Sequence, residues 1–264
     1  MKRTQIIVLL RGLIITTAFF SSSQSTIKAQ NNNVTVYEYR QVPSNKIDEF
    51  IKRETTYWSL VAEKAIKDKT MTYWALLEKV GGYDLPNSSN YLLVSTYSDI
   101  NKAPGILKNA ESYTGVKNSD MEINSISTIT NQFFLHEESW AQASGAIPEK
   151  DFNYFLLDYH NTNYADSLIG IENKYWLPFI KKAMDNRQTD MVAWGNAKLL
   201  SPLGENVKFT TVSYDVFKTL QETLMPRADP KLTFPSKDMA TIIDLELGRR
   251  EYIIYRVVKF VSAH

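Results

Sequence analysis

The stretch NKIDEFIKRETTYWSLVAEKA, residues 45–65, meets NYADSLIGIENKYWLPFIKKA, residues 163–183, at an offset of about 118 and without a gap. Asn45/Asn163, Asp48/Asp166, Glu54/Glu172, Tyr57/Tyr175, Trp58/Trp176, Lys64/Lys182 and Ala65/Ala183 are identical pairs. Average composition predicts about one identity in such a window. Any two amphipathic helices share apolar spacing, but spacing alone does not put Tyr-Trp in register with Asn-x-x-Asp. Working outward, Met71-Thr72-Tyr73-Trp74 meets Met191-Val192-Ala193-Trp194 after a small shift. Thr96-Tyr97 meets Ser213-Tyr214, and Met121 meets Met239. The chain therefore reads as two copies of one unit.

Each copy carries the same order of elements. Val34–Val42 and Phe152–His160 are aromatic and β-branched and predict strands. Asn45 with Asp48, and Asn163 with Asp166, predict a helix cap with its third-position partner. Ile47, Phe50, Ile51, Tyr57, Trp58, Val61, Ala62 and Ala65 then share one helical face. Pro178 predicts a kink in the second of these helices. Hairpins follow: Met71–Val80 with Tyr91–Ser98 around the Gly81-Gly82 turn, and Met191–Leu200 with Val207–Tyr214. Helices are expected near Asn101–Ser112 and Val216–Met225, with Ser119 and Glu122 as a further capping box. Gln132–Trp140 and Glu251–Val261 close the copies, and Gly145-Ala146-Ile147-Pro148 links them. The fold class is α+β: two tandem ferredoxin-like β-α-β-β-α-β units, 30–144 and 145–264. Each sheet has helices on one face only, so pressing the open faces together encloses a pseudo-symmetric α/β barrel.

Val36-Tyr37-Glu38-Tyr39-Arg40, followed by Lys46-Ile47-Asp48-Glu49-Phe50-Ile51, resembles the opening of NIPSNAP-type members of the dimeric α/β-barrel superfamily. That resemblance implies a pocket between sheet and helices or inside the barrel. It also implies a choice of roles: cofactor-independent monooxygenase, isomerase, haem-degrading enzyme or uncharacterised binder. Some relatives with two units per chain bind haem through a helical histidine. Here His136 and His160 lie on predicted strands, so haem is one alternative and no cofactor is the expectation; a non-catalytic scaffold or recognition module, whose aromatics contact sugar or another protein, is the other.

Residues 1–29 read as a secretory signal. Lys2, Arg3 and Arg11 precede the short apolar run Leu13–Phe20, a serine-rich segment follows, and Ala29 marks the cleavage point. The run is far below the ~20 residues that span a bilayer. The expected location is periplasmic or secreted, with no membrane attachment after cleavage. The chain holds 30 Lys and Arg against 29 Asp and Glu; losing Lys2, Arg3, Arg11 and Lys28 leaves about −3. Nothing in that balance favours nucleic acid. With no cysteine there is no disulfide, thiolate metal site or cysteine nucleophile. Three scattered histidines argue against zinc. No Gly-rich phosphate loop, G-x-S-x-G or H-E-x-x-H occurs. Internal duplication allows a monomer or a homodimer.

Strand alternation sorts the candidate site residues. Tyr37, Tyr39 and Gln41 share one face, and Phe155, Leu157 and Tyr159 correspond to them; being more apolar, they are expected to pack under helices. Glu38, Arg40, Asp158 and His160 are then expected inside the barrel, together with His136, Glu138 and Arg256 from the closing strands. Arg40 corresponds to Asp158 and Glu138 to Arg256, both with reversed sign. That reversal predicts cross-strand pairs Arg40–Glu138 and Asp158–Arg256. Histidine beside carboxylates suits proton transfer, so His160, His136 and Asp158 are the catalytic candidates. Glu38, Arg40, Glu138, Arg256, Trp74 and Trp194 are the candidate ligand pocket, suited to a small, partly apolar or aromatic molecule. Glu54 and Glu172 sit on apolar helix faces, where a structural hydrogen bond is the first explanation and a catalytic acid the second.

Overall fold

In the computed structural model, residues 32–80, 88–204, 207–247 and 250–263 are described. The proposed leader, the Gly81-Gly82 turn and His264 lie outside them.

Strand β1, Val34–Gln41, leads into a helix built in three parts: α1, Ile47–Arg53; a π-helical turn, Glu54–Trp58; and α2, Ser59–Lys67. The hairpin β2, Met71–Lys79, and β3, Tyr91–Tyr97, follows. Helices α3, Ala103–Thr114, and α4, Asn118–Met121, lead to the long strand β4, Thr128–Gln142. After α5, Pro148–Asp151, the order repeats. It runs β5, Tyr154–His160; α6, Ala165–Ile171; a π turn, Glu172–Trp176; and α7, Leu177–Asp185. Then come β6, Ala193–Ser201; β7, Thr211–Phe217; α8, Leu220–Leu224; α9, Ser236–Leu245; and β8, Glu251–Ser262.

The eight strands close into one antiparallel barrel in the order β1-β3-β2-β8-β5-β7-β6-β4. The first and last strands of each half are neighbours: β1 pairs with β4 and β5 with β8. Two further pairings, β4 with β6 and β2 with β8, join the halves. The long β4 makes this possible: Thr128–Leu135 pairs with β1, and Phe134–Gln142 pairs with β6.

The barrel interior is filled with rings. Tyr37, Tyr39, Phe155, Leu157, Tyr159, Tyr214 and Tyr255 belong to one buried cluster there. Edge-on contacts lock it: Phe133 and Phe209 have centroids 4.9 Å apart, as do Tyr159 and Phe209. The Tyr39 and Tyr159 hydroxyls meet at 2.6 Å, one donating to the other. Gly195 is required by this packing, because a Cβ there would lie 2.5 Å from the Tyr214 ring. The strand faces are therefore the reverse of the sequence expectation. Tyr37, Tyr39, Phe155, Leu157 and Tyr159 point into the barrel, while Glu38, Arg40, Asp158 and His160 face the helices. The reason is physical. The inside of an eight-stranded barrel is narrow and filled by side chains, so it takes the more apolar face. The outer face, beneath helices, leaves room for polar groups.

Outside the barrel, Phe50, Val61, Ala62, Ala65 and Ile106 pack over Trp74, Leu76 and Leu93. Ile180, Ala183 and Met184 pack over Trp194 and Phe217. Helix initiation differs from the sequence reading. Asn45 sits within a 3-10 turn, Ser44–Lys46, and neither Asn45 nor Asn163 caps a helix with its side chain. Asp48 and Asp166 instead lie in the first helical turns, where a negative charge meets the dipole. Glu122 accepts from the Ser125 amide, not from a helix start, and the capping box forms at Thr219 and Glu222. Val216 and Phe217 continue β7 and do not open a helix. Pro178 stands at the start of α7, just after a π turn. Since the first half has the same π turn and no proline in α1 or α2, proline is not its cause.

Candidate functional site

Between the outer face of the first half's sheet and its helices lies a cavity of about 430 Å³. That is within the ~300–1,000 Å³ of small-molecule sites. Trp58, Trp74, Val61, Ile106 and Leu93 form apolar walls, and Glu38, Arg40 and Glu54 supply polar groups. Glu54 arrives there because the π turn shifts the helical phase after Arg53. The turn's freed carbonyl at Thr55 is satisfied twice, by Ser59 Oγ at 2.7 Å and by Lys259 Nζ of β8 at 3.0 Å. The Trp58 indole donates to Met121 O at 3.0 Å, which fixes that wall.

The Glu54 side chain is buried, and its Oε1 has no hydrogen-bond partner. Burial pushes its carboxyl up to about 8, with Arg40 working against that and Glu38 adding to it. Arg40 is itself buried and fully directed. Its Nε donates to Glu38 Oε1 at 2.6 Å, Nη1 to Ser127 Oγ at 2.7 Å and Nη2 to Asn124 Oδ1 at 2.9 Å. Gln132 Nε2 donates to the other Glu38 oxygen at 3.0 Å. The cavity thus holds a neutralised ion pair and a carboxyl group poised near neutral pH, against tryptophan walls.

The matching position of the second half is occupied by a charged cluster. His160 Nδ1 meets Glu246 Oε1 at 2.8 Å, and Nε2 meets Ser213 Oγ at 3.1 Å. Nε2 also lies 3.4 Å from Asp158 Oδ2 and 3.9 Å from Glu172 Oε1. Arg250 bonds Asp158 at 3.1 Å and Glu246 at 2.6 Å. Asn196 Nδ2 donates to Glu172 Oε2 at 2.8 Å. Burial raises Asp158 and Glu172, with His160 opposing in both, and pushes Asp215 up to about 7, reinforced by Asp158 and Glu172. Burial works against Glu246, yet the bond from His160 and the nearby Arg250 hold it below the usual range. The line Ser213–His160–Glu246 has the spacing of a nucleophile, base and orienting carboxylate. Asp158 and Glu172 crowd the same ring nitrogen, however, and would repel an oxyanion formed at Ser213. The arrangement is that of a fixed network tying the end of α9 to β5.

The expected single polar cluster is thus divided. Glu38 and Arg40 stand in the first cavity, Asp158 and His160 in the second cluster. His136 Nδ1 lies 3.2 Å from the Asn33 carbonyl, and Glu138 is exposed. Neither predicted cross-strand pair forms. Ile129, not Glu138, stands opposite Arg40, after a bulge at Tyr39/Arg40. Tyr252 stands opposite Asp158, and Arg256 pairs with Glu78. Trp74 lines the cavity, whereas Trp194 is core beneath α7. Sequence reasoning missed Ser127, Asn124, Glu246 and Arg250, all far along the chain from the residues they hold. It did carry one signal for Glu54: a carboxylate on an apolar helix face.

No family model matches the chain, and no curated protein matches it. Solved structures do. A protein described as a candidate monooxygenase from Lactobacillus acidophilus NCFM superposes with TM-score 0.57 at 9% identity, covering 87% of this chain and 96% of its own. A second candidate monooxygenase, from Fusobacterium nucleatum subsp. nucleatum ATCC 25586, gives 0.55 at 11%, covering 87% and 94%. An anthrone oxidase-like protein gives 0.52 at 14%, covering 89% and 94%. These likenesses establish the fold class: an α+β barrel of the ferredoxin-like, dimeric-barrel kind, closed here within one chain.

Proposed function

We propose that this is an exported enzyme that binds a small ring-bearing molecule in the first-half cavity and moves a proton with Glu54. The observation carrying this reading is the Glu54 carboxyl, buried with one oxygen unpartnered on the wall of a tryptophan-lined cavity. A carboxyl held near neutral pH is matched to general acid–base work. The chemistry it suits is removal of a proton from a carbon next to a ring carbonyl. In an isomerase the proton is then returned to the enolate at another carbon; in a cofactor-independent monooxygenase the enolate reacts with dioxygen, one oxygen atom becoming the new carbonyl and the other leaving as water. The monooxygenase and anthrone oxidase-like descriptions of the fold neighbours support the second course. The leader-like residues 1–29 support export.

We also infer that the chain arose by tandem duplication, with its units meeting at 144/145. The recurrence of the π turn at Glu54–Trp58 and Glu172–Trp176 supports this, as does the repeated element order. The opening at Val36–Arg40, which resembles that of NIPSNAP-type proteins, supports membership of the same superfamily. Haem, the alternative raised by that resemblance, finds no histidine on the cavity wall: both His160 nitrogens are engaged in the second cluster, and His136 lies on β4 outside the lining.

Anthrone is the probe for the test. Tryptophan fluorescence should report saturable binding, and dioxygen uptake should accompany turnover that Glu54→Gln abolishes. Absence of binding by anthrone and by related neutral ring ketones would sink the reading.

A further inference from the structure

We infer that the cavity prefers an uncharged ligand over a carboxylate, because its buried cation is already neutralised by a carboxylate of its own. This rests on the small-molecule reading above and adds the substrate's charge to it. Arg40 is the one cation among the cavity's lining residues, and an arginine in a pocket is ordinarily an anion receptor. Here it is not available as one. Glu38 takes its Nε at 2.6 Å, and Ser127 and Asn124 take one N–H on each remaining nitrogen. Glu38 is in turn held by Gln132, so the pair is fixed on both sides.

The remaining charged groups of the lining point the same way. Glu54 faces the cavity from the π turn, and Glu122 lies at its exposed rim, where it accepts the Ser125 amide. A ligand carboxylate would therefore be buried beside Glu38 and Glu54 without a counter-ion, and an unpaired buried charge is costly. A ring carbonyl or hydroxyl needs no counter-ion and can pair with the Glu54 carboxyl on the cavity wall.

Three probes of one shape decide the matter: 9-anthracenemethanol, 9-anthracenecarboxylate and 9-(aminomethyl)anthracene, titrated at pH 7 against the full mature chain. The alcohol is expected to bind about tenfold or more tighter than the carboxylate, and the carboxylate is also expected to bind more weakly than the ammonium probe. In Glu38→Gln, which frees the Arg40 charge while keeping the side chain's shape, the carboxylate should gain about tenfold relative to the alcohol. Carboxylate binding as tight as that of the alcohol or the ammonium probe in the native protein overturns the inference but leaves the small-molecule reading standing. An unchanged ratio in folded Glu38→Gln also overturns it. Failure of all three probes to bind removes the reading beneath it. Should Glu38→Gln not fold, the native ranking alone decides.

Discussion

The two halves place a glutamate at the same point of a π turn and then treat it differently. Glu54 stands on the wall of the first cavity beside a neutralised arginine. Glu172 is held by Asn196 and faces His160 within a cluster that Glu246 and Arg250 close from the end of α9. The first arrangement leaves a carboxyl without a partner and room for a ligand. The second uses the same scaffold position to fasten a helix to a sheet. The difference teaches that a recurring buried carboxylate is not itself a functional signal. What stands opposite it on the strand, Arg40 or Asp158, decides whether the niche stays open or is filled.

The sharpest way to break this contrast is to swap the two glutamates for glutamine in turn. Glu54→Gln should lower turnover of a bound carbon acid by about 10²–10⁴-fold while ligand affinity changes little. Glu172→Gln should leave turnover within about twofold of native. Steady-state kinetics with both variants reads this directly, and equal losses in the two would erase the distinction.

Second in size is the cluster's role as a clasp. His160→Ala leaves Glu246 and Asp158 to Arg250 alone and is expected to cost about 1–3 kcal/mol in urea unfolding. Anthrone affinity at the distant cavity should stay within about twofold. A stable His160→Ala protein with lost activity would instead return His160 to the catalytic role read from the sequence.

A smaller effect is the pH dependence of stability. Glu54 titrates at about 8 in the folded chain against an ordinary 4.5. The folded state therefore holds more protons than the unfolded state between those values. Its contribution is full below pH 4.5, falls as pH rises and is lost above about 8. Glu54→Gln should flatten that slope and exceed the native protein's stability above pH 8 by a few kcal/mol, on the order expected for a buried carboxyl. Asp215, pushed to about 7, gives a parallel decline that Glu54→Gln leaves in place. Urea titrations from pH 4 to pH 9 separate the two.

The smallest expected change concerns the π turn of the first half. Lys259→Met removes one of the two donors on the Thr55 carbonyl and should cost about 0.5–1.5 kcal/mol. Its discriminating readout is an altered apparent pKa in the activity profile, since a loosened turn moves Glu54. A profile identical to native would confine Lys259 to stability.

Much of the architecture was legible. Tyr57-Trp58 and Tyr175-Trp176 in register, with strands bracketing each helix, were enough to derive two β-α-β-β-α-β halves and the adjacency of first and last strands. Local periodicity carries that information. The direction of each strand face was not legible, because β1 is covered on both sides, one face buried and the other largely half-buried, and no fully exposed side calibrates the alternation. Tyr37 looked like a residue for the helices and Arg40 like one for the barrel, and the reverse holds. The Arg40–Glu138 pairing failed for a related reason: a bulge and the length of β4 set its register, and neither has a local signature. Glu246 and Arg250 had only their four-residue spacing to offer. Glu54 was visible as an anomaly, but the space in front of it was not.

Both seams of the barrel are stitched by strands from opposite halves. A chain cut in the 143–147 linker would yield two fragments, each with two bare sheet edges exposing unmet amides and carbonyls. Such fragments have every reason to reassociate, or to pair with copies of themselves. Covalent continuity through the linker removes that choice and keeps the unlike niches, one hollow and one clasped, permanently in the same particle.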